Sequence, residues 1–94
     1  MSLPAHLKST LNLITESFPN DINSDIYLPL LNILSNDMSD RNLADVIAFH
    51  KKINYEVALN DVLRARCEKI DDNLKAVIIK NLINHGYADW IKED

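Results

Sequence analysis

Apolar residues recur at three- and four-residue intervals along almost the whole of this 94-residue chain. That spacing returns to one side of an α-helix every turn, so it predicts an all-α fold. A first helix is expected over residues 4–17. Leu7, Leu11, Ile14 and Phe18 make a narrow stripe, and Pro4 suits a first turn, where a missing N–H costs nothing. A second helix is expected over residues 26–36, with Ser24 or Asp25 as N-cap. Pro29 should lie in its first turn, because deeper in the helix it would break a hydrogen bond. Tyr27, Leu30, Leu31 and Leu34 face inward there, and Leu28 and Ile33 widen the face. Ser39 caps a third helix reaching about Lys51, with Leu43, Val46, Ile47 and His50 on one face. Lys51 and Lys52 suit the negative end of its dipole.

Asn54 caps a fourth helix over residues 55–68, whose stripe is Leu59, Val62, Leu63 and Cys67. Asp71 or Asp72 caps a fifth over residues 73–85, and Gly86 ends it in the left-handed conformation. On this fifth helix Leu74, Val77, Ile78, Ile79, Leu82 and Ile83 span roughly 240° of the circumference. A surface helix needs less. Either helix five is central to the bundle, or part of its arc meets a partner; the short core available to such a chain favours the first. Trp90 and Ile91 in the tail are expected to dock back. The expected architecture is a compact bundle of about five short helices forming one domain over residues 1–94.

Composition agrees with the pattern. The chain has one glycine, Gly86, whereas strand-rich domains recruit glycine for tight turns. Apolar residues make up 47% and charged residues 26%, which argues against disorder. At this length hydrophobic gain and conformational entropy nearly cancel, leaving on the order of 5 kcal/mol, so an added interface would help. The net charge of −4 favours neither nucleic acid nor an anionic membrane. Acid is concentrated early: Glu16, Asp21, Asp25, Asp37, Asp40 and Asp45 face only Arg41, while acids and bases balance from Val46 onward. With Cys67 as its only cysteine the chain has no internal disulfide, and a cytoplasmic, reducing setting is expected. No apolar run approaches the roughly 20 residues of a membrane span, and no signal-peptide pattern opens the chain. Met1-Ser2-Leu3 carries no functional weight in this reading.

One segment has the character of a signature. Phe18-Pro19 is followed by Asp25 and Tyr27, then Pro29-Leu30-Leu31, then Ser39-Asp40; further on come Val57-Ala58-Leu59 and Val62. These residues resemble a small all-helical bacterial family, the domain-of-unknown-function family numbered 3349. In that family an aromatic-Pro turn ends one helix, an Asp-Tyr-x-Pro-Leu-Leu motif opens the next, and a Ser-Asp start opens the third. Here Ile26 separates Asp25 from Tyr27. By element order the likeness covers about four-fifths of the chain, and the specific motif covers residues 18–40. The family tends to close on Gly-Gly-Trp-Pro, whereas this chain has His85-Gly86-Tyr87-Ala88-Asp89-Trp90. The resemblance implies a helical bundle without a known activity, and no catalytic residue to carry over.

Candidate chemistry is sparse. Asp21, Asn23 and Asp25 alternate like the opening of a calcium loop. Ile26 and Asn32 stand where such a loop needs glycine and glutamate, so these residues read as turn and cap residues. His6, His50 and His85 are scattered and lack zinc-ligand spacing, so no metal or cofactor is expected. His50 reads as a core-edge residue and His85 as a partner for a helix C-terminus. Cys67 reads as small core filler rather than a nucleophile. A phosphate loop is out of reach with one glycine.

The leading expectation is a non-catalytic protein–protein interaction module, with a homodimer open. Leu13, Ile33, Ile79 and Ile83 are its candidate interface, being off the main stripes or on the wide arc of helix five. The alternative is a nucleic-acid-associated protein using the basic zone of Lys51, Lys52, Arg64, Arg66 and Lys69, which the acidic total opposes.

Overall fold

The computed structural model describes residues 3–19 and 22–92, and among them it contains helices and no strand. After a 3-10 turn at Ala5–Leu7 come α1 (Lys8–Ser17), α2 (Ser24–Leu34), α3 (Asp40–Lys51), α4 (Tyr55–Cys67), α5 (Asp72–Ile83) and α6 (Tyr87–Lys92). The Cα radius of gyration is 12.2 Å, close to the roughly 12 Å of a packed chain this long. The longest helix has 13 residues, and none is long and apolar enough to cross a membrane.

Short polar side chains set the starts of α2, α3 and α5. Ser39 Oγ accepts from the Asn42 amide at 3.1 Å and Asp71 Oδ2 accepts from the Leu74 amide at 3.1 Å, each satisfying an otherwise orphaned donor. For α2 the cap is Asn23 rather than Ser24 or Asp25, its Oδ1 accepting from the Asp25 amide at 2.9 Å. The helix therefore begins earlier than its sequence suggests, and Pro29 lies in the second turn, not the first. Pro29 withholds the amide that would bond the Asp25 carbonyl; Asp25 is exposed, so water can serve that oxygen. Asn23 and Asp25 thus act in a cap, and Asp21 lies outside the described residues.

α2 is the central helix. Leu30, Leu31 and Leu34 are fully enclosed and Ile33 is buried with them. On one side α2 packs along α4, where Asn32 Nδ2 donates to the Ala65 carbonyl at 3.0 Å; on another it packs against α5. α3 and α4 form an antiparallel pair, closed at the far end by Arg66 and Asp40 at 2.6 Å. α1 lies against α3 and α5, and α6 folds back on α1.

The face that α4 buries shares Val62 with the expected stripe and otherwise departs from it. Ala58, Val62 and Ala65 are enclosed, while Leu63 is 45% exposed and Cys67 lies at the surface. Both sets have helical spacing, offset by one residue or about 100°. The alanine face wins because α4 must approach α2 and α3 at once, and small side chains let the backbones close up. Cys67 is therefore not core filler.

α5 is not the centre of the bundle either. It buries Ile78 and Leu82, packs Leu74 and Ile79 partly, and leaves Val77 and Ile83 in solvent. α1 buries Leu13 and Ile14 together with Thr10 and Ser17, and Leu11 and Phe18 pack at the core edge. Leu3, given no weight from sequence, belongs to the core.

Candidate interaction surface

At the corner joining α3 to α4 the chain reverses over three residues, Lys52 to Asn54. Lys52 ends α3 in the left-handed conformation (φ 58°, ψ 46°) that glycine usually fills. The Ile53 amide then reaches back to the Ala48 carbonyl at 3.1 Å. Asn54 precedes α4 in extended conformation, but its side chain makes no capping bond. This tight reversal leaves Phe49 and Tyr55 beside one another's helix ends and largely outside the core. Between them opens a groove of about 690 Å³, within the roughly 300–1,000 Å³ of ordinary binding clefts. Its walls are Leu3, Pro4, Ala48, Phe49, Ile53 and Tyr55, with Asp45, Lys52 and Asn54 as the polar members.

A second apolar surface runs along α5. Val77 is 66% exposed and Ile83 54%, one on each side of the exposed Lys80. Of the four interface candidates from sequence, Ile83 is on this surface and Ile79 lies at its edge, half-buried against the core. Leu13 and Ile33 are core residues and leave the candidate set. They fell off the expected stripes because those stripes were drawn too narrow: each of these helices packs against more than one neighbour. The groove escaped sequence reasoning. Its available sign was Phe49, an aromatic residue beyond the Leu43, Val46 and Ile47 face of α3.

The titratable groups that the fold perturbs tie helices together. The Tyr27 hydroxyl donates to Asp61 Oδ2 at 2.7 Å, joining α2 to α4, and Lys51 Nζ sits 4.8 Å from the centre of the Tyr27 ring. Burial, reinforced by the bond to the Asp61 carboxylate, raises the Tyr27 pKa well above its ordinary value. The Tyr87 hydroxyl donates to Asp37 Oδ2 at 2.8 Å, and burial followed by that bond pushes its pKa up to about 12. Trp90 Nε1 donates to Thr10 Oγ1 at 2.8 Å, and the Tyr87 and Trp90 rings stack with centroids 5.7 Å apart.

The basic zone is divided by the antiparallel pairing. Lys51 and Lys52 stand at one end of the α3–α4 pair and Arg64, Arg66 and Lys69 at the other, along a helix about 20 Å long. Lys51 is engaged with Tyr27 and Arg66 with Asp40. His85 Nδ1 lies 2.7 Å from the Asn81 carbonyl at the end of α5, in keeping with its expected place at a helix terminus. Among the described residues no three His, Cys, Asp or Glu side chains gather in a metal-holding arrangement. Compared with family models, curated proteins and solved structures, the chain shows no significant match.

Proposed function

We propose that this chain is a non-catalytic protein–protein interaction module, and that the Phe49–Tyr55 groove is its contact surface. The observation that carries this reading is the pair of partly exposed aromatic rings lining a mainly apolar groove. Aromatic anchors seated beside a pocket are what the energetic centre of an interface is made of. Support also comes from what the perturbed groups do: the Tyr27 hydroxyl joins α2 to α4 and the Tyr87 hydroxyl joins α6 to the α2–α3 turn, so both serve to hold the fold together. A lone exposed cysteine suits a cytoplasmic, reducing setting. The family resembled by residues 18–40 contributes a fold to this picture and no activity.

A second copy of the chain is the partner to test first. The molecule exposes 5951 Å², and a standard interface would cover roughly 800 Å² of it per partner. Sedimentation equilibrium from 1 μM to 1 mM should show a reversible dimer. Phe49→Glu should weaken it at least tenfold, and Ile83→Glu should leave it unchanged. A monomer at every concentration, with the Phe49 and Tyr55 ring resonances constant throughout, overturns self-association. A dimer broken by Ile83→Glu and spared by Phe49→Glu moves the interface to α5 and overturns the groove.

A further inference from the structure

The structure assigns α6 the role of a detachable latch over α1, able to open while the rest of the bundle stays folded. Four observations converge on it. No described side chain of α6 is fully buried: Tyr87 and Trp90 are half-buried, and Ala88, Asp89 and Ile91 are exposed. Two long-range side-chain bonds fasten it, Trp90 to Thr10 and Tyr87 to Asp37. With six residues α6 is far below the roughly 12–15 that hold a helix unaided in water, so it is helical only while docked. Its connection to α5 passes through Gly86 at φ 102°, around which a side chain would meet nothing within 4 Å, so the hinge has room to turn.

What the latch covers is defined. Trp90 forms one wall of a small polar cavity of about 180 Å³, whose other walls include His6, Thr10, Asp37 and Asn42. Thr10 is a buried polar side chain of α1, and its hydroxyl is satisfied by Trp90. Opening would therefore turn a walled cavity into an open polar face on α1 and the α2–α3 turn, and would free the Thr10 hydroxyl for another donor. Segments held by few buried contacts are the ones that open ahead of the global transition. The fastening is slight: two hydrogen bonds and the half-buried Tyr87 and Trp90 rings, which stack on one another and rest against the edge of the core.

Native-state hydrogen exchange on the full chain tests the latch. The Trp90 amide bonds the Gly86 carbonyl and so reports α6 directly. It should exchange through an opening with little dependence on urea, well ahead of the α2 and α4 amides. Thr10→Val removes the acceptor while keeping the side-chain shape. It should speed Trp90 exchange by about threefold to tenfold, the worth of one net hydrogen bond, and leave the weak urea dependence of that opening unchanged. Should that variant fail to fold, the wild-type urea dependence decides alone. The chain has one tryptophan, so its fluorescence should change at lower urea than the far-ultraviolet dichroism. Equal protection and equal urea dependence in α6 and α2, or coincident fluorescence and dichroism transitions, overturns the latch.

Discussion

Val62 and Leu63 are neighbours on α4, and helical spacing in the sequence places both on one stripe; the structure separates them. Val62 is fully enclosed and Leu63 is 45% exposed. Val62→Ala removes two methyl groups, a transfer loss of about 1.6 kcal/mol at about 0.8 kcal/mol per carbon. The cavity left behind, about 50 Å³, adds up to about 1 kcal/mol. The total, about 2–3 kcal/mol, is half of the stability on the order of 5 kcal/mol available to so small a domain. Leu63→Ala removes three carbons, but nearly half of that surface is already wet and the space left is open to solvent. Its cost is about 1 kcal/mol or less. Urea unfolding followed by far-ultraviolet dichroism measures both. The midpoint should fall sharply for Val62→Ala, and thermal unfolding should drop by about 10 °C or more. If Leu63→Ala proves as damaging as Val62→Ala, α4 buries the leucine stripe, and the argument from the small-residue face is wrong.

Three further outcomes follow from backbone and side-chain chemistry. Lys52→Gly should raise stability by about 0.5–1 kcal/mol, because Lys52 holds φ 58° at a conformational cost that glycine avoids. Gly86→Ala should lower it by about 1 kcal/mol, since φ is 102° and free space around the position leaves only the backbone term; thermal melts check both. Tyr87 supplies a pH dependence. An unfolded phenol ionises near pH 10, and the docked one is raised to about 12. The contribution of its bond to Asp37 is therefore complete below pH 10 and lost as pH rises through about 12. Trp90 fluorescence should report release of α6 over that interval, and Tyr87→Phe should abolish the step.

The fold class, the cap at Ser39, the cap of the fifth helix as one of Asp71 and Asp72, and the left-handed Gly86 were legible because they rest on local chemistry within a few residues. The identity of the buried face was not legible where two faces had equal periodicity. On α4 the expected stripe of Leu59, Val62, Leu63 and Cys67 was right at Val62, but the choice of Ala58 and Ala65 over Leu63 and Cys67 beside it depends on how closely α2 and α3 approach, and a single chain's hydropathy does not carry that distance. The same reason explains α5, whose wide arc read as central although its neighbours cover only Ile78 and Leu82 fully. It explains Leu13 and Ile33 too, since a helix touched from several directions buries side chains well off its main stripe. The cap of α2 was misplaced because Pro29 was given too much authority. The exposed start of that helix tolerates one missing amide, so Asn23 could begin it two turns upstream of the proline ring.

The way α1 is secured has a consequence for how the molecule comes into being. The Ser17 carbonyl waits for Asn81 and the Thr10 hydroxyl for Trp90, partners 64 and 80 residues away. A ribosome releases the chain from its first residue, so the helix made earliest obtains these partners last. In the interval α1 can lie on α3 but lacks α5 and α6, while α2, α3 and α4 can already assemble from adjacent stretches of sequence. Any truncation that removes the last two helices leaves the first one half-housed, with Leu13 and Ile14 short of neighbours. The first helix of the bundle and its last two are thus bound to a common fate, and damage at one is felt at the other.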